Sequence, residues 1–225
     1  MDIEKAILDR RSCRSFLPDK PVSRQTIEDL LRLAANAPSG GNLQPWQVIV
    51  LTGKPLASLI ADVKCQFESN PKGEKTEYRI YPKDLKEPYF SRRHKCGEDL
   101  YATIGVSREN RAGRMQQYRR NIEFFGAPVG LFVYLDRQMQ PGQWSDLGMF
   151  VQTLMLAATG QGLATCAQEF WAMWHAAVAK YTTPPDEWLL FCAVALGYAD
   201  DAAPINRLRT DRAEVAEFTR FHGFD

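Results

Sequence analysis

The sequence predicts one mixed domain in which helices flank buried strands, and three observations carry that prediction. Ile27, Leu30, Leu31 and Ala34 recur at i, i+3, i+4 and i+7 behind Ser23, a residue that caps helix N-termini well. Pro128 to Leu135 and Trp188 to Leu196 are continuous apolar runs rich in valine and aromatic residues, as expected of buried strands. Between those runs Ser145 to Gly160 reads as a long helix, apolar on nearly every side, with a thin polar strip at Gln152 and Thr153.

The remaining elements follow in chain order. Ile3, Ala6 and Ile7 share one face of a short helix that leads into Arg10-Arg11-Ser12-Cys13-Arg14-Ser15-Phe16. Three guanidinium forks and two hydroxyls in so short a stretch read either as an anion clamp or as a basic turn closing a helix. The helix from Ser23 delivers the chain into Ala37-Pro38-Ser39-Gly40-Gly41-Asn42-Leu43-Gln44-Pro45-Trp46, where small residues permit close approach of a ligand and Ser39, Asn42 and Gln44 offer donors and acceptors. A strand from Trp46 to Leu51 and a helix around Pro55 to Phe67 come next. The stretch from Ser69 to about Gln117 is polar, punctuated by proline, and carries Tyr78, Tyr81, Tyr89, Phe90 and Tyr101; it reads as a partly helical, lid-like insertion at 69–117.

Charge and cysteine content narrow the function. With 28 Lys and Arg against 27 Asp and Glu there is no basic field for nucleic acid. The five cysteines include no C-x-x-C pair, so neither a disulfide framework nor a zinc site is expected, and a reducing cytoplasm fits. The start of the chain lacks an apolar signal core and the longest greasy segment is too short for a membrane span. No G-x-G-x-x-G or P-loop pattern occurs, and His94, His175 and His222 are scattered without a metal-like spacing. Phe170, Trp171 and Trp174 read as core; Arg92-Arg93-His94-Lys95 is either a solvated charge run or a steering patch for an anion.

Arg-Arg-Ser-x-Arg-x-Phe from residue 10, followed by Pro-Ser-x-x-Asn-x-Gln-Pro-Trp from residue 38, resembles the FMN-dependent nitroreductase family in both order and spacing. Gly160-Gln161-Gly162-Leu163-Ala164-Thr165-Cys166 is similar to the Gly-Leu-Gly-Ser/Thr-Cys segment of that family, with Ala164 in place of its second glycine and Ala167-Gln168 where many members have proline and an aliphatic residue. The tail from Gly197-Tyr198 to Arg212, Val215 and Glu217 is similar to its terminal arginine pattern, with Arg209 as the alternative to Arg212.

The resemblance implies an α+β fold, a central mainly antiparallel sheet flanked by helices, in an intertwined homodimer with two FMN sites. It implies that Arg10, Arg11, Ser12, Arg14 and Arg212 or Arg209 hold FMN from one subunit while Pro38, Ser39, Gly40, Asn42 and Gln44 reach it from the other. Polar side chains of Arg119-Arg120-Asn121, before Phe124-Phe125-Gly126-Ala127-Pro128, would address the flavin pyrimidine, Arg120 foremost; Ala167, Gln168 and Glu169 would lie against the ring, and the main-chain N–H of Glu169 would bond N5. NADH or NADPH would reduce the flavin and a nitroaromatic, quinone or similar acceptor would reoxidise it, with no acid–base side chain required. Rival readings are a reductive dehalogenase or flavin-fragmenting enzyme of the same fold and a non-catalytic flavin-binding protein. The apolar helix from Ser145 points to a subunit interface, where a charge at Phe150 or Leu154 is expected to cost association.

Overall fold

The computed structural model describes residues 2–224. Its centre is an antiparallel sheet in the order β1-β2-β4-β3, formed by β1 (Gln47–Thr52), β2 (Val129–Asp136), β3 (Ala164–Gln168) and β4 (Trp188–Gly197). The two continuous apolar runs are the two inner strands, as burial on both faces requires. Alternation along β2 sends Val129, Leu131, Val133 and Leu135 into one core and Phe132 and Tyr134 into the other. Gly130 sits under the Phe124 ring, where a Cβ would come within 3.0 Å of it.

The first core lies beneath α2 (Arg24–Ala34) and α6 (Pro141–Gly160). On the opposite face α3 (Gly53–Ser69) and α7 (His175–Thr182) cover Phe124, Phe132, Trp171 and Trp174. The aromatic trio read as core is buried there, with Phe124 and Trp171 stacked at 4.6 Å between centroids. Ser23 caps α2 as expected, accepting from the Thr26 N–H at 3.0 Å.

Helix α6 starts four residues earlier than its apolar pattern. Pro141 at the first turn loses no hydrogen bond there, and the Gln143 side chain accepts from the Gln140 N–H at 3.2 Å. Its burial also departs from the expectation. Leu147, Phe150, Val151, Leu154 and Ala158 are buried within the chain, whereas Met149, Gln152 and Leu156 stay accessible in this single subunit. Phe150 and Leu154 are therefore core residues, and a charge there would break the fold before it reported on any interface.

The polar insertion is largely helical, with α4 (Tyr89–Ala102) and α5 (Arg111–Arg119) between irregular stretches. No residue of α4 is buried, in keeping with its composition. Arg114 of α5 grips Glu98 of α4 through two hydrogen bonds of 2.9 and 2.7 Å. Ion pairs from Arg92 to Glu217 and from Lys95 to Asp211 dock the C-terminal tail, including α8 (Val215–Phe218), on α4. Among the described residues no helix is long and apolar enough to cross a membrane, no group of His, Cys, Asp and Glu could hold a metal ion, and the five cysteines are unpaired.

Candidate active site

The N-terminal motif leaves α1 (Ile3–Asp9) as an extended segment laid along the edge of β3. Ser12 bridges Thr165, and the Cys13 N–H donates to the Thr165 carbonyl at 2.9 Å. Cys13 and Phe16 point into the core. Burial pushes the Cys13 thiol up to about 11, which marks a packing residue rather than a nucleophile. The Phe16 N–H donates to the Phe125 carbonyl at 3.1 Å, so the motif also anchors a turn in which Phe124 and Phe125 both adopt left-handed φ.

Asn206 joins this segment to the tail. Its side-chain oxygen accepts from the Arg14 N–H at 2.8 Å, and its amide donates to the carbonyls of Ser15 and Asp200 at 2.8 and 2.9 Å. Arg10, Arg11, Ser12 and Arg14 thereby share a cavity of about 520 Å³ with Arg209, Thr210 and Arg212. Both candidate tail arginines reach it. Arg11 spends its charge on Asp201 at 2.8 Å, while Arg10, Arg14, Arg209 and Arg212 have no acidic partner among the described residues. Burial, and next the nearby Arg212 charge, lower the Arg10 pKa, so the cluster favours an anion that would relieve its crowding.

Two further cavities continue from the first. Arg14 also lines one of about 220 Å³ with Leu100, Tyr101, Gln117, Tyr118, Asn121, Cys166 and Ala167. Tyr118, Asn121 and Ala167 in turn help wall a cavity of about 790 Å³, which Gln168, Glu169, Phe170 and Phe191 complete from the sheet side. Phe191 is the residue that the β2–β4 register skips, so a bulge in β4 presents it there. Gln168 is buried; its amide donates to the Asn121 carbonyl and side chain at 3.0 and 3.1 Å, leaving its own oxygen without a partner. The Gln117 amide nitrogen on the middle cavity is likewise buried and unpartnered. The Glu169 side chain has no hydrogen bond or ion pair among the described residues, and burial raises the pKa of its carboxyl.

The structure thus gathers Arg10, Arg11, Ser12, Arg14, Arg209, Arg212, Ala167, Gln168 and Glu169 around one run of cavities. Arg120 is not brought there. Its guanidinium donates to the Phe125 carbonyl at 3.3 Å beside Glu123, and the next residue, Asn121, lines the cavities instead. Pro38, Ser39, Gly40, Asn42 and Gln44 line none of these cavities in their own chain. Their loop is exposed but firmly built: the Gly40 N–H donates to Asp146 and the Gln44 N–H to Ser39, while Asn42 and Gln44 hold φ of 56° and 50°. Left-handed φ at two non-glycine residues is a strain that ligand-facing loops commonly retain. Asn206, Gln117 and Tyr118 carry no motif of their own; Asn121 belongs to the Arg119-Arg120-Asn121 run that the resemblance sets against the pyrimidine, Arg93 to the run read either as a solvated charge run or as a steering patch, and Arg79 lies in an insertion whose fold the sequence does not specify.

A model of the nitroreductase family matches residues 7–198, and the chain belongs to that family. It is 37% identical to a 4-nitrobenzoate reductase of Pseudomonas putida over all of this chain and 97% of that one. It is 36% identical to a nitrobenzene nitroreductase of Ectopseudomonas oleovorans over 97% of this chain and 96% of the other. Among solved structures, the FMN and NADPH-dependent nitroreductase NfnB of Sphigopyxis sp. strain HMH superposes with a TM-score of 0.96 at 42% identity, covering the whole of both chains. NfnB of Mycobacterium smegmatis, solved with NADPH, superposes with a TM-score of 0.90 at 29% identity over 97% of each chain. The mixed helix and antiparallel-sheet architecture is therefore that of the nitroreductases.

Proposed function

We propose that the chain is a homodimeric FMN-dependent oxidoreductase that takes reducing equivalents from NADH or NADPH and passes them to nitroaromatic, quinone or similar electron-poor acceptors in a ping-pong cycle. The observation that carries this reading is the continuity of the three cavities, from four guanidinium groups without an acidic partner among the described residues at one end to aromatic walls at the other. FMN presents the complementary order of groups: a terminal phosphate, a hydroxylated chain and a planar ring edged with carbonyls and one N–H. The unpartnered Gln117 nitrogen and Gln168 oxygen suit that edge.

Bound FMN supplies a ring that accepts a hydride and gives it up again at N5. The chain's own residues bind, orient and seclude. Arg10, Arg14, Arg209 and Arg212 neutralise the phosphate, with Ser12 as a neutral donor, and the absence of a pyrophosphate fingerprint favours FMN over FAD. The main-chain N–H of Glu169 is assigned to the N5 edge. Helices α4 and α5 act as a lid over the single 1–225 domain, since Leu100, Tyr101 and Tyr118 wall the middle cavity.

The homodimer is supported by the accessible side of α6 and by the exposed apolar residues Ile3, Ile7, Leu8, Val215, Phe218, Phe221 and Phe224 at the two ends of the chain. The loop of Ser39, Asn42 and Gln44, unused by its own cavities, then completes the site of the neighbouring subunit. Five unpaired cysteines suit a reducing cytoplasm. The test is anaerobic: NADPH or NADH should bleach the bound flavin, and nitrobenzene, 4-nitrobenzoate or a quinone should restore its colour. Restoration only by a halophenol would favour the dehalogenase reading, and flavin that never bleaches would leave a binding protein.

A further inference from the structure

Tyr81, Arg79 and Arg93 stand at the outer end of the cavity of about 790 Å³, all three exposed and all three supplied by the insertion. The opposite end is deep, with Gln168 3% and Cys192 1% accessible, and Glu169 beside them. Phe170, Phe191, Met173 and Val151 give the walls between an apolar character suited to a flat ring.

The run Arg92-Arg93-His94-Lys95 divides sharply. Arg92 pairs with Glu217, Lys95 with Asp99 and Asp211, and His94 lies 4.0 Å from Glu98. Arg93 alone turns to the cavity, its guanidinium 4.2 Å from the centre of the Tyr81 ring. A guanidinium held over an aromatic face by cation–π attraction keeps its N–H groups available to an acceptor. Neither Arg93 nor Arg79 has a hydrogen bond or ion pair to a protein acceptor among the described residues. Two guanidinium groups on one aromatic cavity, both without a counter-charge, make an oxyanion the matching ligand group.

We infer that Arg79 and Arg93 form an oxyanion-binding rim that takes a planar ligand by a carboxylate or phosphate and turns its other end inward toward Gln168 and Glu169. The inference rests on the proposed function and adds to it the ligand's charge and orientation. Two sources carry such a group: an aromatic acceptor with a carboxylate, and the 2′-phosphate that distinguishes NADPH from NADH.

Arg79→Ala, Arg93→Ala and the double variant test it in the flavin-loaded protein. Both side chains are exposed, so their removal empties no core. If the rim serves the acceptor, the double variant raises the KM for 4-nitrobenzoate about tenfold or more, equivalent to about 1.4 kcal/mol, and leaves nitrobenzene within about twofold. If it serves the donor, the same loss falls on NADPH and spares NADH. Arg93→Lys should recover only part of either effect, because the ammonium lacks the stacking plane. Titration with benzoate against benzamide, and with adenosine 2′,5′-bisphosphate against AMP, reads the same preference without turnover. Binding selectivity that survives in a protein unable to reduce nitrobenzene would support the rim and refute the nitroreductase reading. Equal losses for charged and neutral partners, or no loss in any comparison, would overturn the rim while leaving that reading intact.

Discussion

The side-chain oxygen of Asn206 accepts the backbone N–H of Arg14 at 2.8 Å, while its amide spans to the Ser15 and Asp200 carbonyls. One buried residue near the end of the chain thus fixes the register of the N-terminal arginine segment against the tail. The clamp sits where the arginines of the two segments line one cavity.

Asn206→Ala should lower stability by about 1–3 kcal/mol, since it leaves buried backbone groups unpaired. For a chain of this size that is roughly 2–4 °C of melting temperature per kcal/mol. Flavin affinity should fall with it. Asn206→Asp keeps the acceptor but sets a buried carboxylate oxygen against the Ser15 and Asp200 carbonyls, so it should melt no higher than the alanine variant. A variant with unchanged melting and unchanged flavin binding would separate Asn206 from the site.

Glu169 gives stability a pH dependence of definite sign. Burial raises its folded-state pKa above the 4.5 of the unfolded chain, so the folded state holds the proton more tightly. The associated stability is fully present below 4.5 and is lost as pH rises through the folded-state value. Glu169→Gln should therefore melt higher than the parent at neutral pH, with the difference vanishing under acid conditions. Thermal scans across that range check it; a constant difference, or one that grows in acid, would contradict the assignment.

Assembly is best probed on the accessible side of α6. Met149→Glu changes a residue 38% accessible in the single chain, so the subunit should still fold. If the sites are shared, that variant loses association and flavin together, which light scattering and absorbance read in one sample. Leu154→Asp, at a fully buried position, should instead destroy the fold itself. A Met149→Glu dimer retaining all its flavin would exclude this face.

What was legible in the sequence was local. The runs that became β2 and β4, the Ser23 cap and the arginine segment each announce themselves within a few residues, because periodicity and side-chain chemistry are properties of adjacent positions. Hidden were relationships set by distant pairing. Asn206 looks like any turn residue until Arg14 arrives beside it. The exchange of Arg120 for Asn121 follows from a turn at Phe124 and Phe125 whose left-handed backbone no aromatic residue advertises. Arg93 is indistinguishable from its charged neighbours until α4 forms and turns it to the cavity.

The central claim is that the cavity shared by Arg10, Arg14, Arg209 and Arg212 holds the phosphate of FMN, and comparing FMN with riboflavin, which lacks that phosphate, tests it most directly. Charge-assisted bonds of about 1.5–3 kcal/mol each predict that the parent protein binds FMN at least about 100-fold more tightly than riboflavin. In the Arg14→Ala/Arg212→Ala double variant that preference should collapse while riboflavin affinity stays nearly constant. Equal affinity of the parent protein for the two flavins, or a preference untouched by the double substitution, would place the phosphate elsewhere and contradict the account.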